Sequence, residues 1–293
     1  MGHKAGFVNI IGNPNVGKST LMNALVGENL SIITSKAQTT RHRIQGIVNG
    51  EDFQIVYSDT PGIIKPHYEL QKSMMKYVST ALEDADLILY VTDVVEAIDK
   101  HEEYIKRLKG QEIPVFLILN KTDLTSSDKV AAMLLEWQER LPNALLFPVS
   151  ALKGKNLGGL LKEIIKYLPE NPPYYPKDEL TDRSERFFVS EIIREKILLN
   201  YQKEVPYSVE VDIELFKELE KIINIQATIY VTRDSQKGIL IGKKGSMLKK
   251  TGTEARVDIE KFLGKKVFLE LYVKVRKDWR NNPNQVKRFG YGR

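Results

Sequence analysis

The sequence contains no cysteine among its 293 residues. This absence excludes disulfides, thiolate zinc sites and cysteine nucleophiles, and it fits a reducing compartment. Long apolar runs are also missing, since none reaches the roughly 18 residues that a membrane span needs. The N-terminal stretch MGHKAGFVNIIG lacks the apolar core of a signal peptide. We therefore expect a cytoplasmic protein.

Net charge is small overall but unevenly distributed. Hydrophobic residues make up 42% of the chain, which is enough for packed cores, and the length suits two domains. Residues 1–181 carry 20 basic and 22 acidic side chains, whereas residues 182–293 carry 24 and 16. The resulting charges of −2 and +8 indicate a polyanionic partner for the second part, with a merely solvated surface as the alternative.

The first part of the chain alternates apolar runs with helical patterns. Near-continuous apolar runs are typical of parallel strands covered on both faces, and they lie at 5–12, 53–59, 86–93, 113–120 and 144–150. Helical patterns lie between them at 18–27, 70–83, 99–109, 128–140 and 157–167. This order predicts a doubly wound, mostly parallel α/β sheet, with residues 41–50 as an antiparallel partner at its edge.

A proline-rich segment divides this part from the rest. Four prolines fall in the eight residues 169–176, which predicts a stiff spacer at 169–181 between domains at 1–168 and 182–293. The second domain has the order helix–strand–strand–helix–helix–strand, which predicts an α+β fold. Its clearest elements are a helix at 183–204, strands at 207–215 and 223–234, a helix at 247–264 and a strand at 266–276. The stretch IGKKG (241–245) is placed between the second strand and the next helix.

The stretch GNPNVGKST follows the first predicted strand, opens a helix and matches the phosphate-binding pattern G-x-x-x-x-G-K-[ST]. Glycines allow its backbone N–H groups to surround a phosphate at the helix N-terminus. Lys18 is expected to reach the β- and γ-phosphates, and the Ser19 hydroxyl to bind Mg²⁺. The predicted nucleotide-binding residues of this loop are Gly12, Asn13, Pro14, Asn15, Val16, Gly17, Lys18, Ser19 and Thr20.

Two further stretches complete the predicted phosphate and magnesium end. In DTPG, which ends the second parallel run, Asp59 is expected to hold Mg²⁺ and Gly62 to bring its N–H to a γ-phosphate. In TSKAQTTRHR (34–43), a threonine should complete the Mg²⁺ shell; Thr39 and Thr40 both qualify, and we prefer Thr40. The predicted catalytic residues are Lys18, Thr40 and Gly62, and the predicted Mg²⁺ ligands are Ser19, Thr40 and Asp59.

The stretches NKTD and SAL follow two later strands and indicate a guanine site. Asp123 can accept hydrogen bonds from guanine N1–H and its amine, whereas adenine would leave the carboxylate unpaired. Asn120 is expected to tie its loop to the phosphate loop, and the Ala151 N–H to donate to guanine O6. The predicted residues at this end are Asn120, Lys121, Asp123, Ser150, Ala151 and Leu152. Together the motifs predict GTP rather than ATP.

GNPNVGKST, KAQTTRHR, DTPG, NKTD and SAL together resemble the translation-factor class of small GTPases. With the C-terminal pattern, nearly the whole chain resembles the Era-type family, in which a KH domain follows a P-loop domain. The resemblance implies a monomer that hydrolyses GTP to GDP, binds the 3′ end of 16S ribosomal RNA and acts in assembly of the 30S ribosomal subunit. A peripheral position at the inner membrane is a further expectation.

Two departures from common GTPase patterns concern hydrolysis. Ile63 and Ile64 follow Gly62, where many GTPases carry a glutamine that orients water. The chain thus resembles the GTPases with a hydrophobic residue there, in which water must be positioned otherwise, and we expect slow intrinsic turnover. Asn15 matches the position that coordinates K⁺ in related cation-assisted GTPases, where the ion supplies charge to the transition state. Ordinary hydrogen bonding within the loop is the alternative for Asn15.

The stretch IGKKG lacks the K-[ST] ending of a nucleotide loop. It resembles the Gly-x-x-Gly loop of a type II KH domain, which clamps the backbone of about four nucleotides. The lysines would neutralise phosphates and the isoleucines would support bases. The predicted RNA-binding residues are Ile239, Ile241, Gly242, Lys243, Lys244, Gly245, Lys249 and Lys250. The tail at 277–293 either extends this surface or, through Trp279, anchors the last helix.

Two alternatives to an RNA-binding GTP switch stay open. One is a constitutive RNA-binding protein with a structural, slowly hydrolysing GTP site, which would show no difference in RNA affinity between GTP and GDP. The other is a membrane-surface GTPase whose basic domain contacts anionic lipid.

Overall fold

The computed structural model describes residues 2–97 and 102–291. They form two compact units. The first comprises the described residues of Met1–Ser31, Thr40–Lys65 and Met74–Asp182, and the second comprises Ile32–Thr39, Pro66–Ser73 and the described residues of Arg183–Arg293. Two short segments of the N-terminal half therefore belong to the second unit. No helix among the described residues is long and apolar enough to cross a membrane.

The first unit contains a six-stranded sheet. Its strands are β1 (Lys4–Gly12), β2 (Ile44–Asn49), β3 (Phe53–Asp59), β4 (Leu87–Asp93), β5 (Val115–Asn120) and β6 (Leu145–Pro148). They lie in the order β2-β3-β1-β4-β5-β6, and all neighbours are parallel except β2, which runs antiparallel to β3 at the edge. Every residue of β4 and β5 is buried, as expected for central strands covered on both faces. The predicted doubly wound sheet is confirmed.

Five helices accompany this sheet in sequence. They are α1 (Lys18–Val26), α2 (Glu69–Glu83), α3 (Glu102–Lys109), α4 (Ser127–Arg140) and α5 (Leu157–Tyr167). Each lies within a few residues of its predicted position, although 99–101 of the helix predicted at 99–109 lie outside the described residues. Because β1, β3, β4, β5 and β6 are parallel, their carboxyl ends meet at one edge of the sheet, where ligands bind in such folds. Gly12, Asp59 and Asn120 end β1, β3 and β5.

The proline-rich segment packs along the antiparallel edge strand of the first unit. The Ile47 N–H donates to the Leu180 carbonyl at 2.8 Å, and the Tyr175 hydroxyl donates to Gln45 Oε1 at 2.9 Å. This packing gives the outer backbone of β2 a partner and protects a sheet edge from unwanted pairing. The segment predicted as a spacer is thus attached to the sheet, and the domain limits themselves stay a prediction.

Among its described residues, the second unit contains a three-stranded sheet and five α-helices. In chain order its elements are α6 (Glu185–Asn200), α7 (Val205–Ser208), β7 (Glu210–Glu218), β8 (Ile222–Val231), α8 (Asp234–Ile241), α9 (Ser246–Leu263), β9 (Lys266–Val275) and α10 (Pro283–Arg288). β8 is central, antiparallel to β7 and parallel to β9. Apolar residues of α6, α8 and α9 pack with the sheet into one core. The predicted α+β order is confirmed.

The structure differs from the prediction before the second glycine loop. IGKKG was expected to follow a strand, but β8 ends at Val231 and helix α8 occupies Asp234–Ile241. Gln236 supports its first turn, because its Oε1 accepts hydrogen bonds from the Thr232 N–H at 3.1 Å and the Thr232 hydroxyl at 2.8 Å. A helix this short, with Gly238 inside it, shows no clear apolar repeat in the sequence.

The C-terminal segment is anchored by Trp279. Its side chain is fully buried, its Nε1–H donates to the Ser208 carbonyl at 3.0 Å, and its ring meets that of Phe289 edge-on at 5.2 Å. Trp279 therefore packs α10 onto the second unit and is not available to stack on a base. Residues 292–293 of the predicted basic tail lie outside the described residues.

Candidate nucleotide and RNA sites

The first glycine loop connects β1 to α1 through conformations that favour glycine. Gly12 has φ 152° and Gly17 has φ 96°. A Cβ atom at Gly12 would lie 2.1 Å from the Val91 carbonyl oxygen, and one at Gly17 would lie 2.3 Å from Asn120 Nδ2. Asn15 has φ 67°, a conformation that asparagine tolerates better than most residues. Both glycines are thus required by backbone geometry and by space.

Lys18 curls its ammonium group over this loop. The Nζ atom donates to the Gly12 carbonyl at 3.1 Å and to the Asn13 carbonyl at 2.7 Å, and the side chain is buried. Burial lowers the pKa of Lys18 to about 8, although the charges of Asp59 and Glu96 act in the opposite direction. A phosphate placed at this loop would restore the preference for the charged ammonium.

Three oxygen-bearing side chains meet beside Lys18. The Ser19 hydroxyl donates to Asp59 Oδ2 at 2.6 Å, and the Thr40 hydroxyl lies 3.0 Å from Ser19 Oγ and 3.3 Å from Asp59 Oδ2. Burial raises the pKa of Asp59, while the Ser19 hydrogen bond and the Lys18 charge oppose the rise. Asp59 Oδ1 is buried and accepts no hydrogen bond among the described residues. Two hydroxyls and a carboxylate with a spare oxygen fit Mg²⁺, which prefers hard oxygen ligands.

The structure separates the two candidate threonines. The Thr39 hydroxyl lies 2.6 Å from Thr34 Oγ1 and donates to the Lys36 carbonyl at 2.6 Å, within the second unit. Its hydroxyl thus serves a local turn, whereas Thr40 stands in the oxygen cluster. The geometry favours Thr40 as the magnesium-side threonine.

The stretch after Asp59 packs against the first glycine loop. A Cβ atom at Gly62 would lie 2.8 Å from Pro14 Cα, and the Ile63 N–H donates to the Gly12 carbonyl at 3.1 Å. The Ile63 side chain is buried with 1% of its surface exposed. The position that follows D-x-x-G therefore faces the protein interior, and its side chain offers nothing to orient a water molecule. Thr20, in α1, is half-buried.

The NKTD loop is tied to the first glycine loop by two side chains. Asn120 Nδ2 donates to the Val16 carbonyl at 2.9 Å, and Lys121 Nζ donates to the Asn15 carbonyl at 2.6 Å while pairing with Asp93 at 2.5 Å. These bonds hold the base end and the phosphate end of the predicted site together.

Of the two residues predicted to contact guanine, Asp123 is available as an acceptor, whereas the Ala151 N–H already has a partner. Asp123 is exposed, and the hydrogen bond from Ser150 Oγ at 2.5 Å is the main reason that its pKa is lowered, so the carboxylate is an ionised acceptor. The Ala151 N–H, expected to donate to guanine O6, instead donates to Asn120 Oδ1 at 3.0 Å. A contact to O6 would require this hydrogen to be shared. The Leu152 side chain is 75% exposed.

Glu96 is a functional candidate that sequence analysis did not identify. Its carboxylate accepts from Asn13 Nδ2 at 2.7 Å and from the Thr92 hydroxyl at 2.7 Å, and it thereby fixes the second residue of the first glycine loop. It follows β4 in a stretch without a motif, so the sequence carries no signal for it.

The second glycine loop lies between α8 and α9. Gly242 has φ 70°, and a Cβ atom there would lie 2.7 Å from Met247 Cγ. Gly245 has φ 78° with open space around its Cβ position, and its N–H donates to the Gly242 carbonyl at 3.1 Å. Lys244 adopts φ 50° at the tip. Glycine is therefore required at Gly242 both by its neighbours and by the backbone conformation, but at Gly245 by the backbone conformation alone.

The charged residues predicted to bind RNA are exposed: Lys243, Lys244, Lys249 and Lys250. Ile239 is 50% exposed, whereas Ile241 is partly buried and packs against the core, so it offers less surface to a base than expected. Beside the loop lies a groove of about 380 Å³ between α9 and β9, which sequence analysis did not identify. Its lining residues are Gly245, Leu248, Lys249, Gly252, Thr253, Arg256, Leu269 and Leu271.

Comparison with known proteins places these features in a family. The family described as a 50S ribosome-binding GTPase matches residues 7–121, and a KH domain matches residues 204–280. The chain is 50% identical to GTPase Era of Clostridium kluyveri over 98% of this chain and 99% of that protein. It is 47% identical to GTPase Era of Staphylococcus haemolyticus, with 99% and 97% covered. The chain belongs to the Era family of GTPases.

Two solved Era structures match nearly the whole chain. One is Era in complex with MgGDPNP and nucleotides 1506–1542 of 16S ribosomal RNA, with a TM-score of 0.95, 42% identity and 99% of each chain covered. The other is an Aquifex aeolicus Era variant bound to GDP and AlF4⁻, with a TM-score of 0.94, 42% identity and 98% and 99% covered. The Era-type family predicted from the motifs is confirmed.

The first prediction concerns base recognition by this Era-family GTPase. Changing Asp123→Asn replaces the double acceptor for guanine N1–H and the amine, and we expect GDP affinity to fall by at least about 100-fold. Affinity for xanthosine diphosphate should rise, because the amide can donate to the C2 oxygen. Titration calorimetry measures the affinity for each of the two nucleotides. Asp128→Asn, on exposed α4, is the matched control; equal GDP affinity in both variants would remove Asp123 from the base site.

The second prediction concerns pH. Because the pKa of free Lys18 is about 8, a bound phosphate must draw a proton onto it above that pH. GDP affinity should therefore fall between pH 7.5 and pH 9, approaching about tenfold per unit, with proton uptake visible by calorimetry in two buffers of different ionisation enthalpy. Lys18→Arg should remove this dependence. A wild-type affinity that falls no faster than that of Lys18→Arg would contradict the assignment.

Proposed function

We propose that this chain is a GTP-dependent switch that binds single-stranded ribosomal RNA. The observation that carries the proposal is the presence, in one chain, of the Ser19–Thr40–Asp59 oxygen cluster and a glycine loop tipped by Lys243 and Lys244. The first supplies a site that can distinguish nucleotide states, and the second supplies a polyanion site beside a groove lined by both basic and apolar side chains. A switch requires the two sites to differ in affinity between GTP and GDP states.

In hydrolysis, the residues of the first unit bind and orient the nucleotide. Lys18 and the N–H groups of the glycine loop contact the phosphates, and Gly62 brings its N–H to the γ-phosphate. When bound, Mg²⁺ would be held by Ser19, Thr40 and Asp59 and would neutralise charge on the phosphate oxygens. Because Ile63 is buried where a glutamine stands in other GTPases, water is poorly positioned and intrinsic turnover is slow.

The RNA is proposed to be the 3′ end of 16S ribosomal RNA, and the process to be assembly of the 30S ribosomal subunit. The Era structure that contains nucleotides 1506–1542 of 16S ribosomal RNA supports this partner, since it is 42% identical over nearly the whole chain. The charge of +8 on residues 182–293 supports it independently. We propose a cytoplasmic monomer; binding to anionic vesicles in the absence of RNA would instead favour the membrane-surface alternative.

The third prediction tests the RNA site. Changing Lys243→Asp and Lys244→Asp places two negative charges where phosphates should bind, and RNA affinity should fall by at least about 100-fold. The slope of log affinity against log salt should flatten by about 0.7 for each lost phosphate contact. GDP affinity should not change. The measurement is fluorescence anisotropy with a single-stranded RNA of the 16S 3′ end, with a GTP analogue or with GDP.

Two controls separate charge from shape. Lys217→Asp with Lys221→Asp makes the same change in net charge on exposed residues at the β7–β8 turn, and it should weaken RNA binding only slightly. Gly245→Ala keeps the charge but strains a backbone at φ 78°, so its effect should be intermediate. An equal loss in both charge variants would show that the loop is a plain turn. Equal wild-type affinity with GTP analogue and GDP would favour the constitutive alternative.

We also propose that Asn15 holds a K⁺ ion that assists hydrolysis. The proposal rests on its place in the first glycine loop, where a cation would offset developing negative charge. As the fourth prediction, replacing K⁺ by Na⁺ should slow steady-state GTP hydrolysis in the wild-type protein. Asn15→Gly, which tolerates φ 67°, should be equally slow in both salts. Equal wild-type rates in both salts would leave Asn15 with loop hydrogen bonding alone.

A further inference from the structure

Helix α6 contacts Ile32–Thr39, one of the two short segments of the N-terminal half that belong to the second unit. Lys36 Nζ donates to the carbonyls of Leu198 and Tyr201 at the C-terminal end of α6. Unpaired carbonyls and the negative end of the helix dipole favour a cation at such a position. At the C-terminal end of the segment, Arg194 Nη2 donates to the Thr39 carbonyl at 2.5 Å. Helix α6 therefore binds the segment Ile32–Thr39 at two points, Lys36 and its last residue Thr39.

The contact from Arg194 is rigid because the side chain is locked. Arg194 is 1% exposed, and its Nε and Nη2 atoms bind Glu191, one turn earlier on α6, at 2.7 and 2.5 Å. The negative charge of Glu191 raises the pKa of Arg194 against the effect of burial. A planar guanidinium fixed in this way can hold a carbonyl in one place. Buried ion pairs seldom add net stability over apolar residues, which favours a positional role.

The held carbonyl is directly connected to the oxygen cluster. Thr39 C=O and Thr40 N–H belong to one planar peptide group, so fixing the oxygen fixes the plane from which Thr40 starts. The Thr40 hydroxyl lies 3.0 Å from Ser19 Oγ and 3.3 Å from Asp59 Oδ2. Arg194 thus contacts the peptide group that precedes Thr40, a predicted Mg²⁺ ligand.

The same helix also contacts α9, which carries the proposed RNA groove. Asn200 Nδ2 donates to Glu254 Oε2 at 2.6 Å, Lys196 pairs with Asp258, and the rings of Phe188 and Phe262 lie 5.4 Å apart. RNA that binds beside α9 can therefore affect α6, the helix that contacts Thr39. A packed helix with two arrangements is the kind of element that can link two sites.

We propose that Arg194 is a positioning residue for GTP binding that couples RNA binding to the placement of Thr40. The inference rests on the proposed function. RNA that moves α6 changes the support of Thr40, and by linkage the GTP state changes RNA affinity by the same factor. Glu191 serves to orient Arg194, and Lys36 holds the middle of the same segment.

The test is Arg194→Lys, which keeps a charge for Glu191 but removes the second donor arm of the guanidinium. GDP affinity and RNA affinity in the GDP state should stay within about twofold of wild type. Affinity for a GTP analogue should fall by about tenfold, and RNA should no longer change it, because Thr40 matters only when the γ-phosphate is present. Arg186→Lys is the matched control, since Arg186 lies on the same helix and donates to the Ile213 carbonyl at 2.6 Å.

Lys36→Met is a second variant that releases the same segment while leaving the buried ion pair intact, and it answers the question if Arg194→Lys fails to fold. Loss of GTP-analogue affinity and of the RNA effect in either folded variant supports the proposal. Equal losses for GTP analogue and GDP would make the role merely structural and overturn it. Unchanged coupling in the variants overturns the role of Arg194 alone, whereas a wild-type protein without coupling overturns the switch as well.

Discussion

The buried ammonium of Lys18 is the interaction on which the nucleotide site depends. A charge taken out of water costs several kcal/mol unless it is paired or hydrogen-bonded. Here the carbonyls of Gly12 and Asn13 compensate it, and they can do so only because the loop curls around the lysine. That curl in turn requires glycine at Gly12 and Gly17, where a Cβ atom would collide with neighbouring atoms. The loop conformation therefore stabilises the buried Lys18 ammonium, and a bound phosphate would supply the opposite charge.

The chain uses a glycine loop before a helix twice, with opposite placement of the lysines. Lys18 is buried at the start of α1, whereas Lys243 and Lys244 are exposed at the tip of their loop. A buried, fixed ammonium selects one phosphate group in one position. Exposed ammonium groups neutralise a chain of phosphates without fixing any single one, which suits a nucleic-acid backbone. The burial of the lysines thus agrees with the difference between the two motifs, of which only the first has the K-[ST] ending.

Sequence patterns predicted the parts of the fold where backbone chemistry leaves few choices. Strands buried on both faces must be continuous apolar runs, and the motifs at their ends follow from parallel topology, as Asp59 and Asn120 show. Helix α8 is counted in the predicted order but was given no range, because it is short and contains Gly238. The groove was missed because Leu269 and Leu271 look like ordinary core residues. Glu96 and Arg194 act through tertiary contacts to residues distant in sequence, which no local pattern encodes.

The boundaries between the two units lie close to the predicted nucleotide site, which suggests how a change at that site could reach the second unit. Thr40 belongs to the first unit, and the residue before it belongs to the second. Lys65 and Pro66 show the same change of unit a few residues after Gly62. Each of the two stretches proposed to contact the γ-phosphate is thus one peptide bond, or a few, from a segment that belongs to the second unit. In the second unit the Tyr68 hydroxyl donates to Gln38 at 3.0 Å, so the two segments also contact each other. A conformational change that ordered one of them around a nucleotide would be felt by the other, since packed side chains have discrete arrangements rather than a continuum. The two segments are therefore the parts of the fold through which differential contacts can act, whereas Asn120 ends a strand of the buried sheet and Lys18 begins α1.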